Sequence, residues 1–287
     1  MQGDPENEPM SGPQWGRTHF VIPDTQVRPG DPIDHLDWIG RYILERRPQV
    51  CVMLGDWYDM PSLSSYDRGR ASFEGRRYKD DIRAGDHAWR VLDRPVDDYN
   101  RKRREQKKAP WEPDEKWFIM GNHDQRADRP AEENASLEGV MGSHDFDTRG
   151  WTMVPYLQPK NIDGLTYCHF FCNPNTGKGI NGRADTKLKN IGFPFVQGHL
   201  PGKEVAERAL PDGVTKQRCI VAGSCYLANL EYRGPQAQQE WRGILVLHNV
   251  RNGYFDLMEV PLHYLCWKYE GVPLEDFKPR IFAGREG

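Results

Sequence analysis

The chain has 287 residues, 37% hydrophobic and 28% charged, with a net charge of -3 and a mean hydropathy of -0.80. That length can bury a substantial core in one large domain or two small ones. No apolar run approaches the roughly 20 residues of a membrane span, and the slightly acidic balance does not mark a general nucleic-acid binder.

The first residues, MQGDPENEPMSGPQWG, carry acids, Pro and Gly where a secretory signal needs a basic start and an apolar middle. They read as a flexible leader over 1–16, and a cytoplasmic location is expected. The six cysteines form no CxxC pair, and several sit in apolar runs as reduced buried thiols do. Strands and helices then alternate, which predicts an α/β (α+β) fold of sheets covered by helices. THFVIPD (18–24) reads as a strand, 32–48 as an amphipathic helix and QVCVMLGD (49–56) as a buried strand. A helical pattern fills 73–108, with a break expected at Pro95. EKWFIMG (115–121) is the next strand, and further strands are expected at 165–171, 193–198, 217–223, 241–250 and 253–260. No internal repeat or linker divides the chain.

Polar residues gather where these strands end. Asp24 and Gln26 follow the first, Gly55 and Asp56 end the second, and Asn122, His123 and Asp124 end the third. His169 falls within the fourth strand pattern, and Gly198 with His199 ends the fifth. In layered α/β folds strand ends gather at one edge, where ligands bind. A set of oxygen and nitrogen donors without thiolate suits Mn, Fe, Zn, Ni or Co. Asp56, in the middle of the set, is the natural bridge between two cations, and a pair about 3.5 to 4 Å apart activates water and clamps a phosphoryl group together.

In order, DTQ, GDWYD, GNHD, the isolated His169 and GH resemble the five motifs of the calcineurin-like metallophosphoesterases. The resemblance covers residues 18 to 205 by motif. It implies a four-layer sandwich of two mixed β-sheets flanked by helices, over 17–262, with a helical insertion at about 61–110 and a C-terminal extension at 263–287. It implies Asp24, Gln26 and Asp56 at one divalent metal, and Asp56, Asn122, His169 and His199 at the other, with Mn favoured over Ni, Co, Zn or Fe. His123 then acts on the leaving-group oxygen as general acid or charge stabiliser, oriented by Asp124, while Asp59 braces the loop or the ligands from behind.

The sequence departs from the family at two places. Gln26 stands where the family usually has His, and in GHLP, Pro201 occupies the position of a second ligating histidine. The first metal is therefore expected to bind more weakly than the second.

His19, His35, His87, His248 and His263 lie in ordinary element patterns and read as structural or surface residues. His144, in MGSHDFD, either approaches the site or caps a turn. NPNTGKGINGR lacks P-loop spacing but follows His169 closely, so Lys178 and Arg183 are candidate phosphate contacts, as is Arg126. About 65 residues separate Asp56 from Asn122, longer than a crossover needs, and the excess reads as a flap at the rim of the site. There the cluster YDRGRASFEGRRYK either holds phosphates and bases through residues such as Arg76 and Arg77 or uses Tyr66 and Phe73 merely as anchors. The second cluster, NRKRREQKK, reads as a solvated helix face.

The expected activity is hydrolysis of a phosphate ester by a metal-bridging hydroxide, with a phosphodiester of nucleic acid or a nucleotide favoured as substrate and no membrane partner. The alternatives are a phosphomonoesterase or protein phosphatase, and a non-catalytic scaffold with a degraded first metal site.

Overall fold

The computed structural model describes residues 15–65, 69, 73–228 and 240–280. Most of the expected leader, and Tyr66, Arg68 and Arg70 of the first basic cluster, lie outside the described residues.

The chain is an α/β protein with two mixed sheets. Strands β1 (Arg17–Ile22), β2 (Val50–Met53), β3 (Glu115–Ile119) and β4 (Thr152–Val154) run parallel. With the antiparallel β10 (Gly243–Arg251) and β11 (Tyr254–Pro261) they form a sheet in the order β11-β10-β1-β2-β3-β4. The second sheet has the order β5-β6-β7-β9-β8, from β5 (Lys160–Ile162), β6 (Leu165–Cys168), β7 (Phe195–Gln197), β9 (Lys216–Ala222) and β8 (Lys203–Ala209). Its three inner strands are parallel and its edges antiparallel. The helices are α1 (Asp34–Arg46), α2 (Tyr78–Glu105), the short α3 (Arg129–Glu133), α4 (Ala184–Ile191) and α5 (Leu262–Glu270).

Alternation along the strands divides the core. Phe20, Ile22, Cys51 and Met53 pack with Leu36, Ile39, Trp89, Leu92 and Leu265 of α1, α2 and α5. Val21, Val50 and Val52 point the other way, onto Leu165, Tyr167, Val196 and Ile220 of the second sheet. The outer face of that sheet, through Phe195, Cys219 and Val221, meets Ala184 and Leu188 of α4. Residues buried on both faces explain why β1 and β2 read as continuous apolar runs rather than alternating ones. Leu262, Leu265 and Cys266, at the boundary of the expected C-terminal extension, belong to the main core. No helix among the described residues is long and apolar enough to cross a membrane.

Three differences from the sequence expectations have local causes. Helix α2 does not break at Pro95 but runs through it. Proline cannot donate to the preceding turn, yet Gly40 of α1 lies against the Leu92 carbonyl and the Pro95 ring, where a Cβ would overlap the carbonyl. The two helices therefore cross with backbones in contact at the irregular turn, and packing outweighs the lost hydrogen bond. Strands β4, β5 and β8 gave too weak a pattern to be expected: the first two are three residues long, and β8 (KEVAERA) is a mostly exposed edge. The strands also stop earlier than their apolar runs suggest, at Ile22, Met53, Ile119 and Cys168, so that every expected ligand lies on the loop beyond its strand, His169 included.

Candidate metal centre

The loops after β1, β2, β3, β6 and β7 meet at one edge shared by both sheets. Asp24 bridges to Ser224 beyond β9, and the Gln26 N–H donates to the Asp56 carbonyl at 2.7 Å, tying the first two loops together. Gln26, Asp56 and His199 adopt left-handed backbone with φ of 46°, 53° and 67°. Such conformations cost on the order of 1 kcal/mol or more for non-glycine residues and concentrate at functional sites. Glycines admit the close approach. A Cβ on Gly121 would overlap the Asp56 carboxylate, and one on Gly198 would stand 2.5 Å from Asp24 Oδ1.

The donor atoms converge. Asp56, His169 and His199 each offer a ligand atom within 4.8 Å of the others, and Asn122 joins them. Its Oδ1 is 3.0 Å from His169 Nε2 and 2.8 Å from His199 Nδ1, and those two nitrogens are 3.3 Å apart. His169 Nε2 is also 3.3 Å from Asp56 Oδ1. His169 Nδ1 donates to the Leu54 carbonyl at 2.7 Å, which leaves the lone pair of the neutral ring on Nε2, directed at the other donors. Two imidazole nitrogens, an amide oxygen and a carboxylate oxygen thus crowd one point, and a proton or a cation among them holds them there.

Charge gives the same reading. Burial and the neighbouring Asp56 push the Asp24 carboxyl up to about 7, against the opposing pull of His169. Burial would raise Asp56 as well, but His123 and His169 hold it far below the usual carboxylate range. His169, though burial disfavours its charge, is raised to about 10 by Asp56 and Asp24, while burial and the charge of His169 lower His199 to about 4. Gln26 Oε1, buried on the loop after β1 whose backbone is tied to Asp56, has no hydrogen-bond partner among the described residues. The carboxylates, the imidazole lone pairs and this orphaned oxygen fit a divalent cation.

His123 lies beside the cluster with Nε2 3.9 Å from Asp56 Oδ2, and its backbone N–H donates to Asp56 Oδ1 at 2.8 Å. Its expected partner needs correcting. Asp124 directs both oxygens to backbone N–H groups, those of Asp56, Tyr58 and Gly121 at 2.7 to 2.8 Å, and so pins two loops together. The carboxylate that orients His123 is Asp59, whose Oδ1 is 2.5 Å from His123 Nδ1 and whose Oδ2 pairs with Arg28 Nε at 2.7 Å. Arg126, nine-tenths buried, donates to the Asp59 carbonyl at 2.7 Å and places Nη2 3.1 Å from His123 Nε2. The GDxxD spacing pointed to a bracing role for Asp59. Nothing in the sequence pointed to Arg28 or to the Leu54 carbonyl.

Other expected residues stay apart from the cluster. Lys178 and Arg183 are exposed, and no hydrogen bond or ion pair among the described residues joins either to it. Arg76 donates to the Pro61 carbonyl at 3.1 Å and lies over the Phe73 ring, while the exposed Arg77 caps the start of α2 and donates to the Arg76 carbonyl. Both stand on the segment that continues the Asp56 loop. His144 is an exposed turn residue beside Asp145, whose Oδ2 accepts from the Tyr78 hydroxyl at 2.6 Å. His35 is buried against the Cys225 backbone. Five of the six cysteines are buried, and all six are free.

The chain matches no protein-family model and no curated protein.

Proposed function

We propose that this chain is a metal-dependent phosphoric ester hydrolase with the four-layer fold and binuclear centre of the calcineurin-like metallophosphoesterases, and that phosphodiesters of nucleic acid or nucleotides are its substrates. The observation that carries the reading is the convergence of Asp56, Asn122, His169 and His199 beside a histidine oriented by a buried carboxylate. Asp24 and Gln26 would complete a second site around Asp56. Divalent cations, when bound, activate water and neutralise phosphate charge.

The chain's own groups supply the rest. Asp59 fixes His123 with Nδ1–H toward the carboxylate, so Nε2 is the atom that gives a proton to the leaving oxygen. Arg126, with Nη2 3.1 Å from that nitrogen, is placed to take up negative charge on a phosphate oxygen beside it. The preference for a diester rests on the basic and aromatic segment that continues the Asp56 loop, where Arg76 and Arg77 stand at the start of α2.

Pro201 favours a second reading, a scaffold that has kept the fold and lost a metal. The Asp59–His123–Arg126 arrangement opposes it, since a scaffold needs no oriented proton donor. Crossing Mn, Ni, Co, Zn and Mg with aryl phosphomonoesters, aryl phosphodiesters, cyclic nucleotides and single- and double-stranded nucleic acid tests the proposal. Diester hydrolysis with Mn is expected; activity confined to monoesters would make it a phosphatase, and inertness throughout would leave the scaffold.

A further inference from the structure

Helix α2 has 28 residues and is therefore about 42 Å long. Its first turn packs against the segment that follows Asp56: Asp81 accepts from the Ser62 N–H at 2.9 Å, and Tyr78 bonds to Asp145. Its last turn leads to Glu115 at the start of β3, the opposite edge of the sheet. There the segment 101–108 holds six basic residues and a single acid, Glu105, in a chain whose net charge is -3.

Most of these cations are uncommitted. Arg101 pairs with Asp98 at 3.0 Å, and Arg103 donates to the Ala109 carbonyl and lies over the Tyr99 ring. Lys102, Arg104, Lys107 and Lys108 are exposed, and among the described residues none has an acidic partner within ion-pair distance. Arg47, just past the end of α1, extends the patch, lying over the rings of Tyr99 and Trp111. A helix C-terminus carries about half a negative charge, which one or two cations offset. Six, with Arg47 beside them, exceed that requirement. No large hydrophobic side chain is exposed between 99 and 111, so the patch lacks what a membrane-inserting surface uses. Dense, uncompensated charge without apolar anchors fits a phosphate backbone.

We propose that Lys102, Arg104, Lys107 and Lys108 form a second contact for duplex DNA, distant from the reaction, so that a duplex held at the metal centre is also held at the far end of α2. This rests on the phosphodiesterase reading for the near end alone. At 3.4 Å per step, about 12 base pairs span the helix. Duplexes longer than that gain affinity through the patch, while small diesters ignore it.

The test uses the full chain in EDTA and the fluorescence anisotropy of a labelled 24-base-pair duplex between 50 and 200 mM salt. Combined Lys102→Gln, Arg104→Gln, Lys107→Gln and Lys108→Gln substitutions should raise Kd about 10-fold or more. The slope of log K against log salt should become shallower by about 3 to 4. The Lys107→Gln, Lys108→Gln double variant should give about half that change in slope. Hydrolysis of an aryl phosphodiester with Mn should be the same in all three proteins. Unchanged affinity and slope in the fourfold variant, or no duplex binding by the parent chain, overturns the proposal. So does a fourfold variant that loses only binding to phosphatidylserine vesicles, which would assign the patch to a membrane surface. Duplex binding through the patch by a chain inert toward every phosphate ester would instead remove the proposed activity and leave the patch standing. Hydrolysis combined with binding indifferent to the patch would do the reverse.

Discussion

Two histidine clusters lie between the same pair of sheets, one at each edge, and they are built on opposite principles. At the start of β1, His19 is fully buried with both ring nitrogens engaged: Nδ1 is 2.7 Å from the Tyr167 hydroxyl and Nε2 is 2.9 Å from Asp163 Oδ2. Asp163 is in turn held by Arg17, which also reaches Glu115. Donors meet acceptors throughout, and the network closes on itself. At the other edge His169 Nε2 and His199 Nδ1 crowd Asn122 Oδ1 and Asp56 within 3.3 Å, on loops with left-handed backbone. The closed network joins two sheets, whereas the open one brings together ligand atoms that could hold a metal ion.

The sharpest way to break this contrast is Asp56→Asn, which removes the charge shared by the open cluster. Altering a residue that merely supports a ligand costs 10- to 100-fold in metal affinity, so loss of at least about 100-fold is expected here, with loss of hydrolysis. Equilibrium dialysis with Mn measures it. Full retention of metal would mean that the open arrangement is incidental.

His123→Ala should act on chemistry alone. Turnover is expected to fall by roughly 100-fold or more, the range of a general acid, with metal content unchanged. Asp59→Asn should reproduce part of that loss, roughly 10-fold, because it loosens the ring without removing it. Asp124→Asn should instead lower the melting temperature, since Asp124 pins backbone. If Asp124→Asn slowed turnover as much as Asp59→Asn at unchanged stability, the assignment of the two carboxylates would have to be exchanged.

The closed cluster predicts a change in stability without a change in metal. His19→Leu leaves the Tyr167 hydroxyl and one face of Asp163 unpaired, and about 1 to 3 kcal/mol should be lost. Burial, more than the opposing Asp163, lowers the His19 pKa below its ordinary value. The unfolded chain therefore takes up a proton near pH 6.5 that the folded chain refuses. The stability contributed by neutral His19 is present above that pH and declines as pH falls through it. Thermal melts of parent and variant across pH 5 to 8 should differ most at the high end and converge toward the low end.

The open cluster was legible in the sequence and the closed one was not. GD, GNHD and GH place donors next to glycine at the ends of apolar runs, and a strand end is a position that pattern alone can locate. His19, inside a strand, looked like any core residue, because its partners Tyr167 and Asp163 are contributed by the other sheet across more than 140 positions of chain. The same limit explains the misassigned orienter of His123. Asp124 is adjacent in sequence, Asp59 adjacent in space, and only the left-handed turn at Asp56 brings the latter round. Pro95 shows tertiary contact overriding local propensity: the close crossing at Gly40 makes up for a turn that the sequence disfavours.

The smallest expected effect concerns Pro201, which sets the two halves of the open cluster against each other. One half has Asp56, Asn122, His169 and His199 already converged, while the other keeps Asp24, Gln26 and the shared Asp56. Gln26 brings a neutral oxygen where an imidazole would bind more strongly, and proline brings nothing. Water must then fill the remaining positions, which lowers affinity without abolishing it. The purified chain should hold about one tight metal, with a second entering at higher concentration and hydrolysis rising as it does, since activating water and clamping phosphate together takes two. Pro201 is half-buried, on a tight turn in which the Leu200 N–H donates to the Gly198 carbonyl at 2.8 Å, so a side chain there has room to turn. Pro201→His should tighten the weaker site by roughly 10-fold, of the order of a supporting-residue effect, and leave the tight one alone. Metal analysis joined to an activity titration reads both numbers. Two equally tight metals in the unaltered chain would mean that another group completes the first site, and His35, buried against the backbone of Cys225, whose N–H donates to the Asp24 carbonyl, would be the first residue to replace.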